Sequence, residues 1–79
     1  MTDRVEIRLP AGIGEGDDQA VLSGWMVDDG EQIEAGDVVA EVMVAKASFE
    51  IEAPAAGILL HRAEVGALLS PNELIGLVD

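Results

Sequence analysis

The sequence contains no cysteine and a single histidine, His61. Without thiols it cannot form disulfide bonds, a zinc–thiolate site or a thiol nucleophile. Basic residues are also scarce, since 4 Lys and Arg stand against 16 Asp and Glu and give a formal net charge of −12. So acidic a chain lacks the clustered cations that bind phosphate backbones or anionic lipids. The composition therefore predicts neither a nucleic-acid partner nor a membrane partner.

Aromatic residues and long apolar runs are scarce as well. One Phe, one Trp and no Tyr contribute to a hydrophobic fraction of 49%. The apolar runs are far shorter than the roughly 20 residues that cross a bilayer. The start has no basic stretch followed by an apolar one, so no export signal is expected. We therefore expect one soluble cytoplasmic domain over residues 1–79, with enough aliphatic side chains to form a core.

What the sequence does contain is a series of short strand-like segments between turn residues. Val5, Ile7 and Leu9 alternate with polar residues, which is typical of a half-buried strand. Further strands are predicted at Ala20–Val27, around Ile33, at Val38–Val44, Ser48–Glu52, Gly57–Leu60, Leu68–Leu69 and Leu74–Val78. The segment 10–18 is predicted as a loop because it contains three glycines and no periodicity. Many short strands and no helical pattern predict an all-β fold.

The two halves of the chain are weakly similar. A shift of 36 positions aligns Gly30 with Gly66, Ile33 with Leu69, Gly36 with Asn72 and Val39 with Ile75. Gly and Asn are the residues that most readily adopt a left-handed backbone conformation. The repeat therefore predicts that both halves make the same turn and pack together around one core.

Lys46 is the only lysine in the chain. It lies where a strand ending near Val44 meets one beginning near Ala47, and so short a junction predicts a tight hairpin with an exposed tip. A primary amine on a flexible four-carbon stem would then be available for amide formation. The alternative is a lysine that only protects a strand edge and aids solubility.

Several segments resemble, in order, the lipoyl domain of the biotinyl/lipoyl attachment family. These are Leu9-Pro10 with Gly14-Glu15-Gly16, Gly24-Trp25 through Gly36-Asp37-Val38, Ala40-Glu41-Val42, Lys46-Ala47-Ser48, Ala53-Pro54, Gly57, Gly66 and Leu74–Val78. The resemblance implies a flattened β-barrel, or barrel-sandwich hybrid, of two four-stranded sheets related by pseudo-two-fold symmetry. It places Lys46 on a hairpin at one end.

The resemblance also implies a function. Lipoate joined to Lys46 by an amide would be a swinging arm that carries acyl groups and electrons, on a domain that is not itself an enzyme. The implied partners are a lipoate ligase or transferase, a thiamine-dependent 2-oxo acid dehydrogenase, an acyltransferase and a dihydrolipoyl dehydrogenase. A carrier of this kind needs a rigid base and a tether, and no catalytic residues.

The residues around the lysine depart from the usual lipoyl pattern. That pattern has Asp one position before the lysine and Glu three positions before it, where this chain has Ala45 and Met43. Biotin domains place methionine on both sides, and Ala47 agrees with the lipoyl pattern instead. Lipoylation is therefore favoured, and the alternatives are a biotin carrier domain of a carboxylase and an unmodified interaction module. The resemblance implies that Gly14 and Glu15, beside the hairpin, recognise partners together with Met43, Ala45 and Ala47.

Other chemistry is not predicted. His61 is interpreted as a solvated residue at a strand end, without a second histidine to complete a metal site. Trp25 is expected to pack on the barrel, and Met26 and Met43 to pack in the core or at its flank.

Overall fold

A computed structural model describes residues 4–10 and 19–79 of the chain. The segment 11–18, which contains Gly14 and Glu15 and most of the predicted loop, lies outside the described residues. All regular secondary structure in the described residues is β, and no helix there could cross a membrane.

The described residues form eight strands: β1 (Val5–Arg8), β2 (Ala20–Trp25), β3 (Gln32–Ile33), β4 (Val38–Val44), β5 (Ala47–Glu52), β6 (Gly57–His61), β7 (Leu68–Leu69) and β8 (Leu74–Val78). They make two four-stranded sheets, and every pairing is antiparallel. The lysine-bearing sheet has the order β5-β4-β2-β7, and the opposite sheet has the order β1-β8-β6-β3. The predicted all-β fold of two four-stranded sheets is confirmed.

The two sheets are related by an approximate two-fold axis. Exchanging β1 with β5, β2 with β6, β3 with β7 and β4 with β8 converts the order of one sheet into that of the other. The turn residues obey the same relation, because Gly36 and Asn72 have φ values of 92° and 65°. Gly30 and Gly66, also 36 positions apart, have φ values of 87° and 92°. The shared left-handed turn predicted from the sequence repeat is therefore confirmed.

Hydrogen bonds at the turns repeat with the same spacing. The Glu34 amide donates to the Asp37 carboxylate at 2.9 Å, and the Ser70 amide donates to the Glu73 carboxylate at 2.8 Å. In each half, the carboxylate of the acidic residue after the turn thus accepts a hydrogen bond from the backbone amide three residues earlier, and this bond closes the turn. The sequence encodes this duplication as an acidic residue directly after Gly36 and after Asn72.

Trp25 and His61 are also equivalent under the 36-residue shift, and the two-fold axis brings them together. Their rings stack with centroids 3.9 Å apart and planes 9° apart. The Trp25 indole N–H donates to the Ala63 carbonyl at 3.0 Å, and His61 Nε2 lies 2.8 Å from the Val27 carbonyl. A carbonyl can only accept, so Nε2 carries a proton and donates. The pair links β2 of one sheet to β6 of the other.

His61 therefore differs from the solvated residue that was predicted. It does end a strand, but its ring is partly buried against Trp25. The actual cause of burial is the two-fold relation, because the position equivalent to His61 is occupied by a tryptophan.

The core lies between the two sheets and is entirely aliphatic. Alternate strand residues point inward, and the fully buried large side chains are Leu9, Leu22, Ile33, Leu59, Leu69, Ile75, Val39, Val42 and Val78. No polar or charged side chain is buried among the described residues. Both sheets contribute, so neither half could cover its own apolar face alone.

Candidate functional site

The candidate site is the hairpin that joins β4 to β5. Val44 and Ala47 form its last pair, and the turn consists only of Ala45 and Lys46. Ala45 has a φ of 54°, a left-handed conformation that two-residue hairpin turns require at their first central position. Alanine adopts it less readily than Gly, Asn or Asp, so the turn carries a small strain directly beside the lysine.

The tip of this hairpin extends into solvent from a rigid base. Ala45, Lys46 and Ala47 are all exposed, as the hairpin prediction required. Val44 pairs on its other side with Ala20, the first residue of β2, so the turn extends beyond that neighbouring strand. Two residues before Val44, on the same strand, Val42 is fully buried. A flexible amine is thus held at the end of a firmly packed ladder.

Ionic contacts do not hold the lysine in the described part of the chain. The ion pairs found there are Arg4 with Asp79 and Arg8 with Glu6, and both join residues of the opposite sheet and its ends. No ion pair with a residue in 4–10 or 19–79 therefore competes with a partner for the Lys46 side chain.

Met43 lies on the outer face of the lysine-bearing sheet. It pairs with Val21 on one side and Ser48 on the other, while its neighbours Val42 and Val44 point toward the core. Its exposed fraction is 42%, and that of Met26 is 54%, so the expectation that the two methionines pack in the core or at its flank is wrong. The period-two alternation of β4 accounts for this exposure, because it directs Met43 to the face opposite to that of Val42.

Carboxylates follow Met43 along the same outer face. Glu41 and Glu50 are directly paired on β4 and β5, and Glu52 follows on β5. The Ser23 hydroxyl lies 3.0 Å from the Glu41 carbonyl oxygen and 3.2 Å from a Glu41 carboxylate oxygen. Both oxygens are acceptors, so the single hydroxyl proton is donated to Glu41. The sequence prediction did not include Ser23, because a hydrogen bond across 18 positions gives no local signal.

The chemistry that this arrangement offers is acylation of an amine. No group of three or more His, Cys, Asp or Glu among residues 4–10 and 19–79 could hold a metal ion. His61 is engaged with Trp25 and the Val27 carbonyl. The tip presents a primary amine between two small alanine side chains, which leave an incoming enzyme room to approach.

Comparison with known proteins adds the following findings. The family model for biotin/lipoyl attachment, described as "Biotin-requiring enzyme", matches residues 5–76. The chain is 39% identical over 49 residues to the pyruvate dehydrogenase E1 component subunit beta of Rhizobium meliloti. This alignment covers 62% of the chain and 10% of that protein. The chain is also 34% identical over 55 residues to the dihydrolipoyllysine-residue acetyltransferase component of the pyruvate dehydrogenase complex of Zymomonas mobilis. This alignment covers 70% of the chain and 12% of that protein. The match thus spans about a tenth of each relative's length.

Proposed function

The chain belongs to the biotin/lipoyl attachment family, and on that premise we propose that it is a lipoyl carrier domain with the cofactor attached to Lys46. The observation that carries this proposal is the placement of the chain's only lysine, exposed at a two-residue turn between β4 and β5. Domains of this family are carriers. The described residues fit that role, since they provide an amine to modify and a rigid base to support it.

The attachment is an amide bond. On attachment the Lys46 ammonium would lose two protons to solvent, and its nitrogen would bond to the acyl carbon of an activated lipoyl donor. The bond between that carbon and the donor's leaving group would break, and the leaving group would keep the electron pair. The amide is neutral, so the formal net charge changes from −12 to −13. The domain contributes the nucleophile and its exposure, while the attaching enzyme contributes the activated donor.

Lipoate is favoured over biotin for two reasons. Ala47 after the lysine agrees with the lipoyl pattern and not with the methionine flanks of biotin domains. One relative is, by its printed name, a dihydrolipoyllysine-residue acetyltransferase. When bound, the group supplies a dithiol/disulfide that carries acyl groups and electrons. The domain's task is then to hold the arm on a narrow tip that several active sites can receive.

The proposed partners follow from this role. Both relatives are components of pyruvate dehydrogenase by name, so we place the domain in a 2-oxo acid dehydrogenase-type complex. It would there serve a thiamine-dependent dehydrogenase, an acyltransferase and a dihydrolipoyl dehydrogenase, after modification by a lipoate ligase or transferase. Met43, Ala45 and Ala47 surround the lysine and are proposed to contact these enzymes, together with Gly14 and Glu15.

Intact mass spectrometry of the domain purified from its native host tests the proposal. A lipoyl group, a biotinyl group and a bare lysine give three different masses. The expected result is the lipoyl mass on the unsubstituted domain and the bare mass on the Lys46→Arg variant. A bare mass on both, from cells that modify another lipoyl domain, would refute the carrier function and favour an interaction module.

A further inference from the structure

Three apolar side chains form a row across the outer face of the lysine-bearing sheet. Met43 pairs with Val21, and Val21 pairs with Leu68, so the three lie side by side on β4, β2 and β7. Neighbouring strands are about 4.8 Å apart, which makes the row roughly 10 Å long. Met43 and Leu68 have exposed fractions of 42% and 60%, and Val21 is half-buried. We call this set the apolar row.

The two-fold relation provides an internal comparison for the apolar row. By strand pairing, the equivalent row of the opposite sheet is Asp79, Ile58 and Gln32, since Ile58 pairs with Gln32 and exchanges two backbone hydrogen bonds with Asp79. In that row a charged and a polar residue flank a single apolar side chain, Ile58, whose exposed fraction is 37%. In the lysine-bearing sheet all three positions carry apolar side chains, and Met43 and Leu68 are more exposed than Ile58.

The carboxylates next to the apolar row differ from their equivalents in the same way. Glu50 and Glu52 correspond to Glu6 and Arg8, which form an ion pair at 3.1 Å in the opposite sheet. In the lysine-bearing sheet an acid replaces the arginine, and Glu50 directly faces Glu41. Like charges directly opposite each other on two strands destabilise a sheet, and the described part of the chain places no cation within ion-pair distance of them.

We propose that the apolar row and the facing carboxylates Glu41 and Glu50 are the docking surface for the enzyme that attaches the cofactor to Lys46. The matching face of that enzyme would carry an aliphatic side chain for the row, beside an arginine or lysine for the carboxylates. Such a cation would relieve the repulsion between Glu41 and Glu50, which supplies charge complementarity. This inference rests on the proposed function of Lys46.

The attaching enzyme is the favoured occupant because it must reach the bare lysine. Met43 precedes Lys46 by three residues on the same hairpin. An active site that receives a four-carbon amine has to approach the hairpin itself, and the outer face of β4 lies within that contact zone. Enzymes that act on the modified arm work at a greater distance and need less of this surface.

Two matched pairs of variants test the docking surface. Met43→Ser removes part of the row, and Met26→Ser changes a more exposed methionine, 54% against 42%, beside Val39 at the other end of β4. Glu50→Arg replaces a repulsive pair by an attractive one, and Glu64→Arg makes the same change of charge in an exposed loop. Rates of lipoyl transfer are measured with a purified lipoate–protein ligase of the same organism, lipoate and ATP. Met43→Ser and Glu50→Arg should each lower kcat/KM about tenfold, the usual scale for an interface residue that matters.

Glu50→Arg separates docking from folding, since it should raise the urea midpoint of the domain while lowering its modification rate. The controls Met26→Ser and Glu64→Arg should change the rate less than about twofold. If Met43→Ser and Glu50→Arg are modified as fast as Met26→Ser and Glu64→Arg, the proposed docking surface is wrong.

A binding experiment distinguishes failure of this surface from failure of the proposed function. The ¹⁵N-labelled Lys46→Arg domain is titrated with the same ligase, and the amide signals of Val21, Met43 and Leu68 are followed. Shifts at these residues support the surface, whether or not the unsubstituted domain is modified. If Lys46 is modified and the row does not shift, the docking surface is wrong and the carrier function stands. If the row shifts and no modification occurs, the surface stands and the carrier function fails; if neither occurs, both are overturned.

Discussion

Gly57→Ala should be far more destabilising than alanine at Gly30, Gly36 or Gly66, the other glycines of positive φ among the described residues. Gly57 has a φ of 153°, and a Cβ atom there would lie 2.7 Å from the Asp79 carbonyl oxygen and 2.8 Å from Val78 Cγ1. The first of these contacts is with backbone, which cannot move aside as a flexible side chain can. Ile58 and Asp79 exchange two backbone hydrogen bonds at this point, so β6 would have to separate from the end of the chain.

The magnitude follows from two costs. A non-glycine residue in a conformation that glycine alone adopts readily costs about 1–3 kcal/mol. Forcing extra volume into a packed site costs about 1–3 kcal/mol more. The sum, about 2–6 kcal/mol, compares with a total stability of about 4–12 kcal/mol for a chain of 79 residues. The substitution should therefore remove about half of the domain's free energy of unfolding.

Gly66→Ala is the matched control. Gly66 also has a positive φ, 92°, but a Cβ atom there would have no neighbour within 4 Å. Only the conformational cost of about 1–2 kcal/mol applies. Urea denaturation monitored by Trp25 fluorescence measures both variants. If Gly57→Ala loses no more stability than Gly66→Ala, the close approach of β6 to Asp79 is wrong.

The remaining predictions concern the hairpin and the stacked pair. Lys46→Arg should abolish modification while changing the free energy of unfolding by less than about 0.5 kcal/mol; substantial unfolding in urea would contradict an exposed tip. Ala45→Asp should stabilise the domain by roughly 0.5 kcal/mol, because Asp tolerates the left-handed conformation better than Ala. In the same urea assay, the control Ala47→Asp on the adjoining strand should give no such gain. His61→Ala should cost about 1–3 kcal/mol through the lost stack and hydrogen bond and shift the Trp25 emission maximum to longer wavelength; an unchanged emission maximum and urea midpoint would exclude the stack.

The tip of the hairpin was predictable because its signals are local. Two strand patterns separated only by Ala45 and Lys46 predict a tight turn, because two residues can join strands only as a hairpin. The choice of Lys46 itself needed only the observation that it is the sole lysine. The outward direction of Met43 was available from the alternation along β4, but an apolar residue suggested a core position and led to the wrong expectation.

The sequence by itself determined the all-β class, the positions of the eight strands and the repeated turns at Gly36 and Asn72. These features depend on period-two alternation and on backbone conformations that few residues accept, and both are written in short segments. Only the tertiary structure decided which distant residues meet. The stack of His61 on Trp25, the hydrogen bond from Ser23 to Glu41 and the apolar row all join separate strands, because the pairing of β2 with β4 and β7 and the two-fold axis set their partners.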